Sequence, residues 1–410
     1  MRIAIETLGT RGDVQPYLAL ARILQERGHI VQLAAPQQFA AMSEQNRVPF
    51  ASLPGEFLAL LDTPEGKAAI SGGQGFSAGF KLLKHVRPLM RQLLDTEWQA
   101  VKDFGPDMIV YHPKSIASPH MAQALGVPHI LASPLPGFTP TAAFPSPMLP
   151  FASLGPLNWS SHLLAMRGAD LLFGKMLREW RREALGLPSR FKFRPPKRTL
   201  YAFSKHVLPV PSDWAEDVLV SGYWFLDEPA WTMPDALARF LAGGDRPVYV
   251  GFGSMPGLDP ETLADTVMAA LAQTGKRGLL AIGGGALKVR EMPAHVHVID
   301  SAPHGELFRH VSATVHHGGA GTTAASIRAG VPLTICPFFG DQPFWARRVL
   351  DLGIGAGALD LKHLSVDQFA AALKAMDDAE TIGRARALGA KVRAEDGLKA
   401  AASFLEAASL

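Results

Sequence analysis

The segment Gly9-Thr10-Arg11-Gly12-Asp13 brings a carboxylate to the end of a loop that contains two glycines. A strand is predicted over residues 2–7 and a helix over 14–27, so this loop leaves the carboxyl end of a strand, where open α/β sheets bind ligands. A carboxylate at that edge can take a proton from a substrate hydroxyl. It can also be an ordinary helix N-cap, with Pro16 in the first turn, and the loop alone leaves both interpretations open.

A second segment, His316-His317-Gly318-Gly319-Ala320-Gly321-Thr322-Thr323, has the composition of an anion-binding loop. It is predicted to join a strand over 313–316 to a helix that ends before Gly330. Glycines and threonines at a helix start leave backbone N–H groups exposed at the positive end of the helix dipole, which suits a diphosphate. The alternative is a tight turn with two packed histidines, and the density of glycine favours anion binding.

Two further segments could contact the same ligand. Gly251-Phe252-Gly253-Ser254 follows a predicted strand, so its backbone can approach a phosphate closely. It is not a dinucleotide fingerprint, because the third glycine, Gly257, falls one residue late and no acid follows at the ribose-binding distance; the phosphate-loop motif of NTPases is absent as well. The pair Asp341-Gln342 offers donors and acceptors that suit sugar hydroxyls, although Asp341 before Pro343 also fits a helix N-cap.

The elements that must hold these segments follow an α/β pattern. Short apolar runs bounded by Gly and Pro alternate with amphipathic stretches, which is typical of doubly wound parallel sheets. Further strands are predicted over 30–34, 107–111, 129–132, 247–251, 278–282 and 296–299, and further helices over 117–125 and 260–273. An aromatic, Pro-containing stretch interrupts the pattern. We therefore predict an N-terminal domain over 1–220, a linker over 221–245, a second domain over 246–385, and a C-terminal helix within 386–410 that packs back on the first domain.

The composition excludes several classes of protein. The chain has 410 residues, of which 48% are hydrophobic, enough for the cores of two or three domains. The 40 basic and 37 acidic residues leave a net charge of +3, too small a surplus to indicate a nucleic-acid binder. The single cysteine, Cys336, excludes an internal disulfide framework and a cysteine metal cluster. Glu6 comes too early for the apolar region of an export signal, so we expect a cytoplasmic protein.

Residues 115–166 contain no Asp, Glu, Lys or Arg and nine prolines. Proline at that density breaks any helix that could span a membrane. We expect part of the stretch to be core and part to line an apolar pocket beyond the sheet edge near Asp13. The basic residues that follow, between 178 and 198, are predicted to form a solvated surface, with peripheral contact to a membrane as the alternative.

Three of these segments together resemble one family. With Val14-Gln15-Pro16 after the first loop, Gly222-Tyr223-Trp224-Phe225-Leu226 in the linker and Pro337-Phe338-Phe339-Gly340 before Asp341, the chain resembles a GT-B fold glycosyltransferase. The family includes sterol glucosyltransferases, bacterial natural-product glycosyltransferases and plant UDP-sugar transferases, and the resemblance is stronger to the sterol-type and bacterial branches. It implies two Rossmann-like domains that face each other across a cleft.

The resemblance also implies a role for each site residue. Asp13 would be the general base, where other branches have a histidine, and the family's histidine-plus-aspartate dyad has no counterpart except His112 at the end of the strand over 107–111. The implied donor-binding residues are Gly12, Gly253, Ser254, Ser301, Ala302, His304, His317, Gly319, Gly321, Thr322, Asp341 and Gln342. The predicted acceptor-binding residues are His112, Phe138, Phe144, Met148 and Phe151. Ser301 is not aromatic, which leaves the choice between uracil and thymine open.

These implications predict an inverting glycosyltransferase. It would move a hexose from a nucleoside-diphosphate sugar, UDP-glucose or alternatively a dTDP-sugar, to a hydroxyl of a hydrophobic acceptor such as a sterol, polyketide or polyphenol. We expect no cofactor beyond this co-substrate and no metal, because the sequence has no Asp-x-Asp motif. The alternatives are a sugar-nucleotide epimerase or a cell-wall precursor glycosyltransferase of the same fold, or a catalytically silent binding protein.

Overall fold

The computed structural model describes residues 1–56, 76–191, 196, 198–228, 231–253, 259–360 and 363–408. These residues form two α/β domains, each built on a parallel sheet. None of the helices in the described ranges has both the length and the apolar character needed to span a bilayer. Ser254, a predicted phosphate contact, lies outside the described residues.

The N-terminal domain contains seven strands and six α-helices in the described ranges. The strands are β1 (Arg2–Glu6), β2 (Ile30–Pro36), β3 (Phe50–Leu53), β4 (Met108–Tyr111), β5 (His129–Ser133), β6 (Thr199–Tyr201) and β7 (Val218–Val220). The helices are α1 (Arg11–Glu26), α2 (Ala40–Gln45), α3 (Phe76–Phe104), α4 (Ser118–Leu125), α5 (Asn158–Met166) and α6 (Gly168–Glu183). The sheet has the order β3-β2-β1-β4-β5-β6-β7 with all pairs parallel.

The second domain contains five strands and seven of the α-helices in the described ranges, and an eighth helix follows it. The strands are β8 (Val248–Gly251), β9 (Gly278–Ala281), β10 (Val296–Ile299), β11 (Ala313–His316) and β12 (Leu333–Ile335). The helices are α7 (Asp235–Ala242), α8 (Pro260–Gln273), α9 (His304–Leu307), α10 (Ala320–Ala329), α11 (Gln342–Asp351), α12 (Val366–Ala375) and α13 (Ala379–Ala394), and α14 (Gly397–Ala407) ends the described chain. The sheet order is β10-β9-β8-β11-β12, again parallel.

Strand pairing brings distant loops together at the carboxyl edge of each sheet. In the first sheet Glu6 pairs with Tyr111, so the loops that follow β1 and β4 start side by side. In the second sheet Gly251 pairs with His316, so the loops that follow β8 and β11 start side by side. Ligands of open α/β sheets bind at this edge.

The first helix begins earlier than predicted, and its cap is a different residue. Helix α1 starts at Arg11 rather than at residue 14, and Thr10 holds the N-cap position in an extended conformation. Asp13 lies inside the first turn, where a carboxylate favours the positive end of the helix dipole. The alternative interpretation of Asp13 as the N-cap was therefore wrong.

An apolar cluster joins the two domains. Phe203 of the N-terminal domain and Trp345 of α11 are buried in this cluster with their rings 6.5 Å apart. The Arg348 guanidinium donates a hydrogen bond from Nε to the carbonyl of Val207 at 2.5 Å. Each large apolar side chain that is buried in this way contributes about 1.5–3 kcal/mol. Packed apolar side chains therefore stabilise the contact between the two domains.

The chain returns to the first domain only after Ala394, later than the predicted boundary at residue 386. Helix α13 contains that residue and packs against α10 of the second domain. After Glu395 the chain turns, and α14 places Ala401, Ala402 and Leu405 in the core of the N-terminal domain, against α1. Small residues at two of these three positions allow the helix to approach α1 closely.

Candidate active site

Asp13 lies at the carboxyl edge of the first sheet, held there by the turn that follows β1. Gly9 has a φ of +136°, and a Cβ at this position would fall 2.1 Å from Oδ2 of Asp13. Only glycine leaves room for the carboxylate to fold back over the turn. There Oδ2 accepts a hydrogen bond from the N–H of Thr10 at 2.8 Å, and the hydroxyl of Thr7 donates to the backbone carbonyl of Asp13 at 2.7 Å.

The loop after β4 supplies two further groups to this carboxylate. His112 Nε2 lies 3.4 Å from Oδ1 of Asp13, and Lys114 Nζ lies 2.9 Å from Oδ2. His112 Nδ1 accepts the backbone N–H of Lys114 at 3.1 Å. Because a backbone N–H can only donate, Nδ1 is an acceptor and the proton of neutral His112 is on Nε2, towards Asp13. The prediction had named His112 but had missed Lys114.

The charges around Asp13 keep it ionised. Burial by itself raises the pKa of Asp13, but the Lys114 ammonium and the hydrogen bond from His112 hold this pKa well below its usual range. Burial lowers the pKa of His112, against the opposing attraction of Asp13. At neutral pH the pair is therefore a carboxylate and a neutral imidazole, which is the state that a general base needs.

The loop after β11 has the geometry of an anion site. Gly318 has a φ of +92°, and a Cβ there would fall 2.5 Å from Cγ2 of Ile335. His316 Nδ1 accepts the N–H of Gly318 at 3.0 Å, which fixes the turn before Gly319 at the N-cap of α10. The first backbone N–H groups of a helix lack intrahelical acceptors. This helix start can therefore donate them to an anion, as predicted for Gly319, Gly321 and Thr322.

His317 lies between Gly253 of the loop after β8 and Gly319 of the loop after β11. A Cβ on Gly253 would fall 3.7 Å from Cε1 of His317, and one on Gly319 would fall 2.7 Å from Nε2. Burial lowers the pKa of His317 to about 4, with the Gly251 carbonyl acting in the opposite direction. Its Nδ1 atom is buried and has no hydrogen-bond partner among the described residues. A neutral ring nitrogen without a partner beside a helix start is a candidate ligand contact.

The predicted nucleobase segment follows β10. Ser301 is exposed, Ala302 is half-buried, and His304 begins α9. The His304 ring stacks on Phe308 with 4.6 Å between ring centroids, and its Nε2 lies 3.2 Å from the hydroxyl of Tyr249. Burial lowers the pKa of His304 to about 4, and the charge of Arg11 acts in the same direction.

Asp341 and Gln342 have different roles from each other. Asp341 is at the N-cap of α11, but its side chain does not cap the helix, and Oδ2 accepts the indole N–H of Trp345 at 2.8 Å. Gln342 Oε1 accepts the N–H groups of Phe338 at 2.6 Å and Phe339 at 3.2 Å. Gln342 therefore closes the loop before α11, a function that the sequence interpretation did not include.

The two domains present their carboxylates to the same cleft. Burial raises the pKa of Asp341 to about 6, and the charge of Asp13 acts in the same direction, whereas the charge of Lys114 lowers it. Arg11, at the start of α1, donates to the Glu228 carboxylate at 2.6 Å and so ties the first loop to the interdomain segment. The sheet edge that carries Asp13 and the loop of the second domain that carries Asp341 are thus close enough for their charges to interact.

The predicted acceptor residues lie in three different environments. His112 contacts Asp13, as described above. Phe138 is half-buried beside α4 and α6, and Phe144 packs against Phe344 of the second domain with 5.6 Å between ring centroids. Met148 and Phe151 are about half exposed, and the backbone carbonyl of Phe151 accepts a hydrogen bond from Arg347 at 2.9 Å. The stretch thus contributes to the domain boundary, and its role in acceptor binding stays a prediction.

Comparison with known proteins shows the family of the chain. Residues 3–144 match the glycosyltransferase family 28 N-terminal domain, and residues 265–401 match the C-terminal domain of erythromycin biosynthesis protein CIII-like proteins. A sterol 3-beta-glucosyltransferase of Arabidopsis thaliana is 35% identical over 418 residues, covering 98% of this chain and 67% of its own length. The chain belongs to the sterol 3-beta-glucosyltransferase family.

Other members of this family are longer. A sterol 3-beta-glucosyltransferase of Cryptococcus neoformans is 35% identical over 432 residues, but the chain spans only 26% of its length. The crystal structure of the glycosyltransferase of kitacinnamycin has a TM-score of 0.72 and 21% identity, covering 100% of this chain and 99% of its own. This likeness confirms the predicted two-domain GT-B fold.

Proposed function

We propose that this protein is an inverting glycosyltransferase that moves a hexose from a nucleoside-diphosphate sugar to a hydroxyl of a hydrophobic acceptor. The observation that carries the proposal is the ionised Asp13, which faces the donor-side loops of the second domain across the cleft. Membership of a family whose named relatives are sterol 3-beta-glucosyltransferases supports this reaction class. UDP-glucose is our first expectation for the donor and a dTDP-sugar the alternative.

In the proposed reaction, the acceptor hydroxyl lies against Asp13 and gives its proton to the carboxylate. The acceptor oxygen forms a bond to the anomeric carbon as the bond between that carbon and the diphosphate oxygen breaks on the opposite face. The electron pair of the broken bond leaves with the nucleoside diphosphate. The protein thus supplies a base on one side of the sugar and stabilisation of the leaving group on the other.

The leaving group would be held by the start of α10 and by His317. The helix start presents N–H groups and the positive end of the dipole to the diphosphate. The Nδ1 atom of His317 has no partner among the described residues, and in the tautomer that carries the proton on Nδ1 it would donate a hydrogen bond to a phosphate oxygen. Because these groups supply donors and positive potential, we propose that the reaction needs no divalent cation.

Asp341 would bind the transferred sugar. Its carboxylate lies between Trp345, which donates to it, and the Asp13 side of the cleft. A carboxylate accepts hydrogen bonds from vicinal sugar hydroxyls. Gln342 would act indirectly, because its carbonyl oxygen fixes the backbone of Phe338 and Phe339 and so the position of its neighbour Asp341.

The acceptor class rests on the uncharged stretch and on the family. Residues 115–166 carry no charged side chain of Asp, Glu, Lys or Arg, and they lead away from the loop that holds His112. We propose that part of this stretch lines the cleft near Asp13, where apolar side chains would suit a flat hydrophobic alcohol, such as a sterol, better than a free sugar. We therefore propose hydrophobic aglycones as acceptors.

A mass-spectrometric screen tests this function. UDP-glucose and dTDP-glucose would each be offered with a panel of sterols, polyphenols, polyketides, free sugars and charged small molecules. We expect hexose addition to several hydrophobic acceptors. Transfer only to free sugars or charged acceptors would favour a cell-wall precursor transferase. An epimerised donor, which has the same mass and is detected by proton NMR of the recovered sugar nucleotide, would favour the epimerase. Donor binding without any product would favour a silent binding protein.

A further inference from the structure

Lys114 is the residue in the cleft that neither the sequence interpretation nor the reaction above assigns. It lies in the loop after β4, and its ammonium group forms an ion pair with Oδ2 of Asp13 at 2.9 Å. About half of its side chain is exposed, at 53%, whereas the Asp13 side chain is 18% exposed. The lysine therefore covers the open side of a mostly enclosed carboxylate.

The same turn fixes Lys114 and His112 relative to each other. The backbone N–H of Lys114 donates to His112 Nδ1, and His112 Nε2 faces the other oxygen of Asp13. The carboxylate is thus held from two directions, by a neutral N–H donor on Oδ1 and by a cation on Oδ2. A change at Lys114 can leave the His112 contact in place, because that contact depends only on the backbone of Lys114.

The charged and titratable groups around Asp13 come from three parts of the fold. On α1, Tyr17 is buried behind Asp13 with its hydroxyl donating to the carbonyl of Ala132. From the loop after β4 come His112 and Lys114, and Asp341 acts from the second domain. Arg11 extends instead to Glu228. Among the described residues, Lys114 is the cation in direct contact with the Asp13 carboxylate.

We propose that Lys114 is a positioning residue of glycosyl transfer, which holds the Asp13 carboxylate ionised and oriented and so sets the pH range over which Asp13 accepts the acceptor proton. This inference rests on the function proposed above. The acceptor proton passes to Asp13, and Lys114 keeps all its protons throughout. An opposite charge at this distance lowers the pKa of a carboxyl by about 1–3 units, which widens the working range towards acid at some cost in basicity.

The charge of Lys114 acts on a carboxylate of each domain. The Lys114 charge acts on Asp341 as well as on Asp13, so the ammonium lies where the carboxylates of both domains meet. Without it, two acidic groups would face each other in a closed cleft, and each would raise the pKa of the other. Lys114 thus allows both carboxylates to stay ionised, one for the acceptor and one for the sugar.

The experiment is a titration of the Asp13 carboxyl by carbon-13 NMR on the full chain labelled at the aspartate carboxyl carbon. The Asp13 signal is assigned by its loss in Asp13→Asn. We expect the parent protein to keep Asp13 ionised down to pH 4, and Lys114→Met to move the midpoint of the Asp13 titration upwards by about 1–3 pH units from that of the parent protein. Lys114→Arg keeps the positive charge and should restore the parent curve.

The matched control is Lys175→Met, the same replacement at an exposed lysine on α6. It should leave the Asp13 titration unchanged. An Asp13 midpoint that is the same in Lys114→Met as in the parent protein, or a parent protein in which Asp13 titrates above pH 5, would overturn the inference. Because no sugar transfer is needed for this readout, its result is separate from that of the acceptor screen.

Activity supplies a second readout. If sugar transfer is found, the acid limb of the kcat profile of Lys114→Met should move upwards by the same interval, with the KM for the donor changed less than threefold. An acid limb at the same pH in Lys114→Met and in the parent protein, with a lower kcat, would indicate a purely structural role and would also overturn the inference.

Discussion

His112 Nε2 lies 3.4 Å from Oδ1 of Asp13, across the boundary between the loops that follow β1 and β4. In the glycosyltransferase family that the sequence resembles, other branches have a histidine in the loop after β1, and an aspartate is its partner in the dyad. Here the two residue types have exchanged places. In the proposed reaction, the carboxylate of Asp13 therefore faces the acceptor, and the imidazole of His112 orients it.

This arrangement predicts a supporting role for His112. In His112→Gln the carboxylate of Asp13 remains, but its orienting N–H donor is lost or displaced. We expect kcat to fall about tenfold, the scale for a misplaced catalytic group, with little change in the KM for the donor. Steady-state kinetics with a hydrophobic acceptor checks this. Loss of activity as complete as in Asp13→Asn would instead make His112 the base.

His317 should matter for binding of the nucleoside diphosphate itself. Replacing it by alanine removes a hydrogen bond to a charged group, which is worth about 1.5–3 kcal/mol, so the affinity for UDP should fall at least tenfold. Calorimetry on the enzyme without acceptor measures this. The control is His310→Ala, at an exposed histidine of the same domain. Equal affinities of His317→Ala and the parent protein would remove His317 from the donor site.

Transfer should continue in excess EDTA. The start of α10 and His317 are proposed to carry out the task that a divalent cation has in other transferases. Initial rates measured with EDTA, and then with added magnesium or manganese, should agree within twofold. Complete loss in EDTA that either metal reverses would contradict this part of the mechanism.

A buried pair of carboxyl groups should make the stability depend on pH. Glu6 of β1 and Glu97 of α3 are fully buried, and burial raises the pKa of Glu97 from its usual 4.5 to about 8. Burial, together with the charge of Glu97, also raises the pKa of Glu6. The Ser115 hydroxyl donates to Glu97. In the folded state, Glu97 keeps its proton through neutral pH, whereas the unfolded chain releases it above about pH 4.5.

The sign of the effect follows from proton binding. Between pH 4.5 and 8 the folded state binds more protons than the unfolded state, so the free energy of unfolding falls as pH rises, by up to about 1.4 kcal/mol per unit for one such group. Urea unfolding of the parent protein and of Glu97→Gln at pH 5, 6.5 and 8 checks this. The variant should depend less on pH. Parallel curves for the two proteins would show that Glu97 is not the group responsible.

The sequence allowed much of the sheet edge to be predicted, because buried apolar strands followed by glycine loops have a strong local signature. Strand β11 and the end of α10 at Gly330 agree with the prediction. The long helix α3 was not predicted, and Pro88 lies within it. A proline inside the helix interrupts the local pattern, and the burial of Leu93, Leu94 and Val101 comes from tertiary contacts that the sequence does not show.

The contacts within the site were harder to predict than the loops. Lys114 has no local signal, since an exposed lysine after a strand is common on any surface. Its role depends on the pairing of Glu6 with Tyr111, which places the loop of β4 beside the loop of β1. The structural role of Gln342 was missed for the same reason, because its partners, the N–H groups of Phe338 and Phe339, become visible only in the folded loop, and its contact with the sugar stays a prediction.

The most direct measurement of the central claim is the rate of sugar transfer by Asp13→Asn. The substitution keeps the size of the side chain but removes its ability to take a proton. With UDP-glucose and the best hydrophobic acceptor, we expect kcat to fall about a hundredfold or more, with UDP affinity within twofold of the parent protein. The control, Asp103→Asn on the exposed surface of α3, should keep the parent rate. Transfer by Asp13→Asn at the parent rate would contradict the assignment of Asp13 as the base.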